Sequence, residues 1–286
     1  MTFTVHRLGS ALAAEIRGLD ITRPLDSGTI AALQAAWADN LVLVFRDQEL
    51  TPAQQIVFSR CFGELDDHAA IPTFRHPEFP EILMVNNREA ATNKKLSVGR
   101  QWHSDLSTTL RPAMGSLLHA VQLPPVGGDT MFCNMYQAWE GLSPLLQEWL
   151  VDQYAVHDMT IARETRLQRT PAELEEIARR NPPVLQPVCR VHEATGRRAL
   201  YVSEMTTSHI HGLTAEESRP LLEYLYQRST VHENVYRHVW RKGDSVLWDN
   251  RCTMHIALAD YDLSEIRRMH RCTLQGNAGG QLLKAA

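Results

Sequence analysis

The stretch QWHSDLST at 101–108 sets an imidazole and a carboxylate two positions apart, as His103-Ser104-Asp105. On an extended strand residues i and i+2 project from one face, so His103 and Asp105 would stand side by side with Ser104 turned away. Such a pair suits acid–base work, or it forms half of a divalent metal site. A histidine and a carboxylate joined by a second, distant histidine leave the remaining metal positions open, which suits non-haem Fe(II) and chemistry with oxygen. Of the 13 histidines, His255 in LWDNRCTMHIALADY stands out, because it follows the apolar run Val246-Leu247-Trp248 at the mouth of an expected sheet. His270 in RRMHRCT and His119 in an apolar strand are alternatives, and both also read as packing residues.

The arginines near the C-terminus are the second anomaly. Arg267 and Arg271 lie four apart, and on a strand they share a face with Met269. An arginine pointing inward is costly unless an anion meets it, and its planar fork suits a carboxylate. Such an arginine run also reads as a solvated strand edge; turned inward beside metal ligands, it implies a metal-chelating substrate that carries extra carboxylates. Other chemistries lack their signatures. GGDT at 127–130 follows a Pro-Pro turn and has no lysine for a phosphate loop, and no HExxH helix or nucleophile elbow accompanies His103 and Asp105.

The surrounding elements are mixed. Helices are expected over 25–40, after Thr51-Pro52-Ala53-Gln54 with Gly63 as its stop, and over TAEESRPLLEYLYQRS. LVLVF reads as a buried strand. From about 81 onward short β segments dominate, namely EILMV, SLLHAVQL, TMFCNM, QPVCRVH with RRALYVS across an Ala194-Thr195-Gly196 hairpin, ENVYRHV, DSVLWDN and RRMHRCTLQG. A helical insert at about 136–180 interrupts them, its second helix opened by a Thr170/Glu173 capping box. Short strands without βαβ alternation predict a mainly β fold, a double-stranded β-helix (jelly-roll) core with flanking N-terminal helices. With no linker or repeat, residues 1–286 read as one domain. The polar segment 88–100 lacks a clear period and reads as a loop beside the site, either a lid or a merely exposed loop.

Composition narrows the partners. The 286 residues carry a formal net charge of −4, which gives no overall attraction to nucleic acid or an anionic membrane. No apolar run spans a bilayer and the N-terminus lacks a signal-peptide core, so a cytoplasmic location is expected. Five scattered cysteines read as reduced packing residues.

In the order WHSD, GGDT, WDNRCTMH and RRMHR, these motifs resemble the taurine dioxygenase / 2,4-dichlorophenoxyacetate dioxygenase family of Fe(II)- and 2-oxoglutarate-dependent oxygenases. The resemblance runs nearly end to end, through GLDITRPL, LVFRDQELTPAQQ, RCFGEL and ARRNPPVLQPVCRVHEATGRRALYVSE. It implies that His103, Asp105 and His255 hold Fe(II) and that Thr130 bonds a 2-oxoglutarate carboxylate. It further implies that Arg271 pairs with the distal C5 carboxylate, with Arg267 near the C1 carboxylate. His68 matches a histidine that contacts substrate in the taurine enzyme. Thr108 stands where both the taurine and the phenoxyacetate enzymes have an aromatic, and Met205 stands where the taurine enzyme has an aromatic-bearing stretch, which argues against taurine itself. The implied reaction consumes O2 and 2-oxoglutarate, yields succinate and CO2, and hydroxylates a small anionic substrate at a carbon beside a heteroatom. That substrate would be an aryloxyalkanoate, an alkylsulfonate or a sulfate ester. Desaturation at the same site, or a non-catalytic anion-binding member of the fold, is the alternative. Relatives of this kind imply a homodimer or homotetramer.

Overall fold

The computed structural model describes residues 3–69, 74–88 and 99–283. In chain order the elements are β1 (Thr4–Arg7), β2 (Ala14–Arg17), α1 (Ser27–Asn40), β3 (Val42–Phe45), α2 (Pro52–Ser59) and β4 (Leu83–Asn86). Then come β5 (Gly115–Gln122), β6 (Thr130–Asn134), α3 (Met135–Glu140), α4 (Pro144–Leu150), β7 (Tyr154–His157), α5 (Arg163–Gln168) and α6 (Pro171–Arg180). The chain closes with β8 (Val184–Pro187), β9 (Cys189–Val191), β10 (Arg198–Leu200), β11 (Thr207–Ile210), α7 (Ala215–Ser229), β12 (Val235–His238), β13 (Ser245–Asp249), β14 (Thr253–Ala257), β15 (Arg268–Leu274) and β16 (Gln281–Leu282).

Local chemistry accounts for the helix starts. Thr51, Thr170 and Thr214 each cap a helix and trade hydrogen bonds with Gln54, Glu173 and Glu217 three residues on, which satisfies backbone donors that the first turn leaves orphaned. Helix α2 ends at Ser59, short of Gly63, because tight turns from Phe58 to Cys61 and from Ser59 to Phe62 carry the chain onward. The mid-chain insert is not wholly helical. Within it, β7 pairs with β8 and β11, a pairing that residues more than 25 positions away supply and that helical periodicity does not reveal.

A seven-stranded sheet runs β1-β2-β3-β13-β5-β15-β4, and a three-stranded sheet runs β12-β6-β14. Both feed one core, in which Val44, Leu118, Val246 and Trp248 of the first sheet pack with Phe132 and Met254 of the second. Helix α1 covers the other face of the larger sheet, where Leu33 and Trp37 meet Leu43, Phe45 and Leu247. The architecture is mainly β with several helices. All five cysteines are free, and four are buried. Among the described residues no helix is long and apolar enough to cross a membrane.

Candidate active site

The site forms where the 101–109 segment meets β14, the edge strand of the smaller sheet. His255 sits on β14 opposite Phe132 of β6. His103 meets His255 in an isolated antiparallel bridge, with backbone hydrogen bonds of 3.1 Å and 2.8 Å in the two directions. Their rings lie 4.2 Å apart between centroids. The expected strand geometry at 103–105 holds only at His103. Asp105 begins a turn in which Leu106 takes φ +53°. The reason is tertiary, since the Asp105 N–H donates to Oδ1 of buried Asn250 at 3.1 Å and this bond draws the chain inward.

His103, Asp105 and His255 are all buried, and each offers a ligand atom within 4.8 Å of the others. The His103 Nδ1–H donates to the Gln101 carbonyl at 2.8 Å, which fixes the tautomer and leaves the Nε2 lone pair for a metal. Nδ1 of His255 is buried without a hydrogen-bond partner. Burial, then the neighbouring His103, push His255 down to about 3, so it stays a neutral donor. Burial alone would raise Asp105, but the Arg271 guanidinium and the two imidazoles hold its carboxyl well below the usual range. Two imidazoles and one ionised carboxylate, converging in a buried spot, match the donor set of an Fe(II) facial site.

A relay orients the carboxylate. Ser116 Oγ donates to Asp105 Oδ2 at 2.7 Å, and Asn250 Nδ2 donates to Ser116 Oγ at 3.1 Å. Asn250 Oδ1 also accepts from Trp248 Nε1 at 3.0 Å. Neither Ser116 nor Asn250 stood out from the sequence. Asn250 lies within the WDNR motif, but Ser116 carries no local signal, because its role depends on the register of β5 against β13.

The arginines separate into two places. Arg271 Nη1 donates to Asp105 Oδ1 at 2.6 Å, while its Nε is buried without a partner. Arg267 is 6% exposed, and its Nε donates to the Gly128 carbonyl at 3.0 Å. It lines a cleft, partly open to solvent, with Asn86, Asn87, Arg100, Leu258 and Tyr261. The GGDT loop beside it has no room for larger residues. Gly127 and Gly128 take φ +78° and +75°, and a Cβ on Gly127 would lie 2.3 Å from the Asp260 carbonyl oxygen. Arg237 braces this loop through Asp129 at 2.8 Å and Asp260 at 2.5 Å.

His68 is 2% exposed, takes φ +54°, and has Nε2 buried without a partner. Burial, then the charge of Arg271, push it down to about 4, and Asp105 also acts on it, so it belongs to the electrostatic surroundings of the triad. Thr108 is buried in the turn after Asp105, and Met205 is half-buried with its N–H on the Trp102 carbonyl at 3.3 Å. A Ser107–Thr206 hydroxyl contact of 3.0 Å joins their two segments. Of the segment 88–100, residues 89–98 lie outside the described residues. His270 and His119 serve elsewhere. His270 packs edge-on against His76 at 5.6 Å, and His119 Nδ1 meets Ser245 Oγ at 2.9 Å.

A second convergence, His192, Asp249 and Cys252, has committed donors. Ala194 and Thr195 N–H groups donate to His192 Nδ1, so its Nε2–H donates to Asp249 at 3.0 Å. Arg251 holds the same carboxylate at 2.6 Å and 2.8 Å, and burial raises the Cys252 thiol well above its ordinary value. This cluster fastens the 249–252 turn that leads into β14. Asp249→Ala is expected to destabilise the fold by about 3–5 kcal/mol, the usual consequence of stranding a buried charge. Urea titration measures this, and a loss under about 1 kcal/mol would contradict the assigned role.

With that geometry in hand, comparison with known proteins decides the family. The model for the family described as taurine catabolism dioxygenase TauD, TfdA family matches residues 4–273. The chain belongs to the TauD/TfdA family. It is 35% identical to the alpha-ketoglutarate-dependent 2,4-dichlorophenoxyacetate dioxygenase of Cupriavidus pinatubonensis, over 97% of this chain and 99% of that one. It is 31% identical to the (S)-phenoxypropionate/alpha-ketoglutarate-dioxygenase of Sphingobium herbicidovorans, over 98% and 97%. The crystal structure of AAD-2 in complex with Mn(II) and N-oxalylglycine superposes with a TM-score of 0.82 at 31% identity, covering 97% of this chain and 98% of that one. As a TauD/TfdA dioxygenase, the chain is an oxidoreductase that uses Fe(II), 2-oxoglutarate and O2.

Proposed function

We propose that this TauD/TfdA dioxygenase hydroxylates a small organic anion at a carbon beside a heteroatom, with aryloxyalkanoates first among the candidates, ahead of alkylsulfonates and sulfate esters. The convergence of His103, Asp105 and His255 carries the reading. Likeness to phenoxyacetate and phenoxypropionate dioxygenases supports the order of substrate classes. The two packed sheets are read as a double-stranded β-helix.

Within this reading His103, Asp105 and His255 hold the iron. The iron, when bound with 2-oxoglutarate, supplies the oxidation that yields succinate, CO2 and a hydroxylated substrate. The chain binds, orients and shields the reactants. Arg271, tied to the ligand Asp105, serves the metal end of the site. Thr130, the last residue of GGDT, and Arg267, held by the Gly128 carbonyl, take the distal carboxylate of 2-oxoglutarate. This exchanges the two arginine roles that the sequence resemblance implies, because a distal carboxylate lies a carbon chain away from the metal. His68, neutral at pH 7, offers Nε2 to an anionic substrate group. Hydroxylation beside an ether oxygen gives a hemiacetal, which collapses to a phenol and a carbonyl acid.

The test is succinate formation by the protein with Fe(II), ascorbate, oxygen and 2-oxoglutarate. The panel holds phenoxyacetates, both phenoxypropionate enantiomers, alkyl sulfates, alkylsulfonates and taurine. Aryloxyalkanoates are expected to raise succinate well above the substrate-free background. A stronger response to sulfonates or sulfates would refute that substrate order, and no succinate from iron-loaded protein would refute the catalytic reading.

A further inference from the structure

Thr130 is 3% exposed and opens β6, where its backbone pairs with His238 on one side and Ala257 on the other. That register fixes the main chain but not the hydroxyl, because a threonine side chain has more than one staggered position. A buried threonine hydroxyl with nothing to hold it turns toward a nearby carbonyl and spends its proton there. In this structure something holds it. Trp240 Nε1 donates to Thr130 Oγ1 at 3.0 Å.

An indole N–H donates and cannot accept. The bond therefore fills a lone pair of Oγ1 and leaves the single hydroxyl proton to be given away. Among the described residues, the structure provides no acceptor for that proton. Trp240 is itself pinned. It is 7% exposed, and its ring meets His238 edge-on at 4.5 Å. His238 Nε2 donates to Asp244 at 3.1 Å, and Asp244 is held by Arg46 at 2.5 Å and by the Arg241 N–H at 2.8 Å. A rigid donor thus aims a buried hydroxyl whose proton meets no acceptor among the described residues, beside a loop whose Gly128 carbonyl holds Arg267.

We propose that Trp240 is a positioning residue that aims the Thr130 hydroxyl proton at the distal carboxylate of bound 2-oxoglutarate. The inference rests on the reading of Thr130 and Arg267 as the distal-carboxylate site. Trp240 touches no reactant and acts through Thr130 alone, so its effect is confined to ligands that carry a distal carboxylate.

Binding to the full-length Mn(II)-loaded protein without oxygen tests this, with calorimetry as the readout. N-oxalylglycine carries the distal carboxylate, whereas oxalate chelates the metal and lacks it. Trp240→Phe is expected to weaken N-oxalylglycine by about 3- to 10-fold, the range of a single hydrogen bond, and to leave oxalate within about twofold. In a double-mutant cycle, adding Trp240→Phe to Thr130→Val should cost nothing further. Near-ultraviolet circular dichroism checks folding, and Trp240→Tyr, which also lacks the indole N–H, is the second variant and should show the same split. Equal weakening of both ligands, unchanged binding of both, or full additivity with Thr130→Val overturns the role of Trp240. If Thr130→Val leaves N-oxalylglycine binding intact, the distal-site reading itself falls, and that result is distinct from a failure of Trp240 alone.

Discussion

Asp105→Ala is expected to abolish product formation, lowering the rate by about three orders of magnitude or more. The substitution removes the one anionic ligand from a buried site that otherwise offers two imidazoles. A metal supplies several kcal/mol to such chemistry, and each 1.4 kcal/mol is a factor of ten in rate. Two further effects add to this. Arg271 loses the partner that Nη1 holds at 2.6 Å, and Ser116 loses its acceptor at 2.7 Å. Arg271 then stands as an uncompensated positive charge beside the metal site and repels the cation. Calorimetric titration with Mn(II) and a succinate assay read the two consequences separately. Wild-type turnover together with wild-type metal affinity would sink the triad. Asp105→Asn keeps the shape of the side chain without its charge, so it should lose metal affinity while disturbing the Ser116 and Asn250 contacts less.

Arg267→Leu carries the second large effect, on 2-oxoglutarate. Burial lowers the Arg267 pKa, a sign of a desolvated guanidinium whose cost an anion would offset. The hydrogen bond to Gly128 engages Nε, and the two Nη groups remain to grip a carboxylate bidentately. Breaking a buried charge pair at one end costs about 3–5 kcal/mol. The half-saturation for 2-oxoglutarate should therefore rise roughly 10²- to 10³-fold. The ligand pair used for Trp240 discriminates the two arginines. Arg267→Leu should weaken N-oxalylglycine and spare oxalate, whereas Arg271→Leu should weaken both, because Arg271 sits on a metal ligand. The reverse pattern would restore the assignment implied by the sequence resemblance.

Much of this architecture is written locally. Thr51, Thr170 and Thr214 announce their helices because capping involves residues three apart. The hairpin at Ala194-Thr195-Gly196 forms as expected, with β9 paired to β10. Strand β7 escaped because four residues flanked by helices carry little periodic signal, and only pairing with β8 and β11 makes them a strand. The Gly63 stop misplaced the end of α2 for a similar reason, since consecutive tight turns bridge the gap between helix and glycine.

At the site, residue types nominated His103 and Asp105 with His255, His270 or His119 as the distant histidine, and the family resemblance implied His255; the expected strand alternation from Arg267 to Arg271 fails, because Arg267 precedes β15 and a register shift falls between Arg268 and Met269. Those inferences use one segment at a time. The contacts that orient the site join residues far apart in sequence, such as Asp105 to Asn250, Ser116 to Asn250, and Trp240 to Thr130. Sequence by itself determined which donors this protein possesses, because ligand chemistry belongs to side-chain type. Tertiary structure alone decided which arginine reaches Asp105 and which the GGDT loop, because strand register and a positive-φ glycine turn, set by distant packing, fix where a side chain ends.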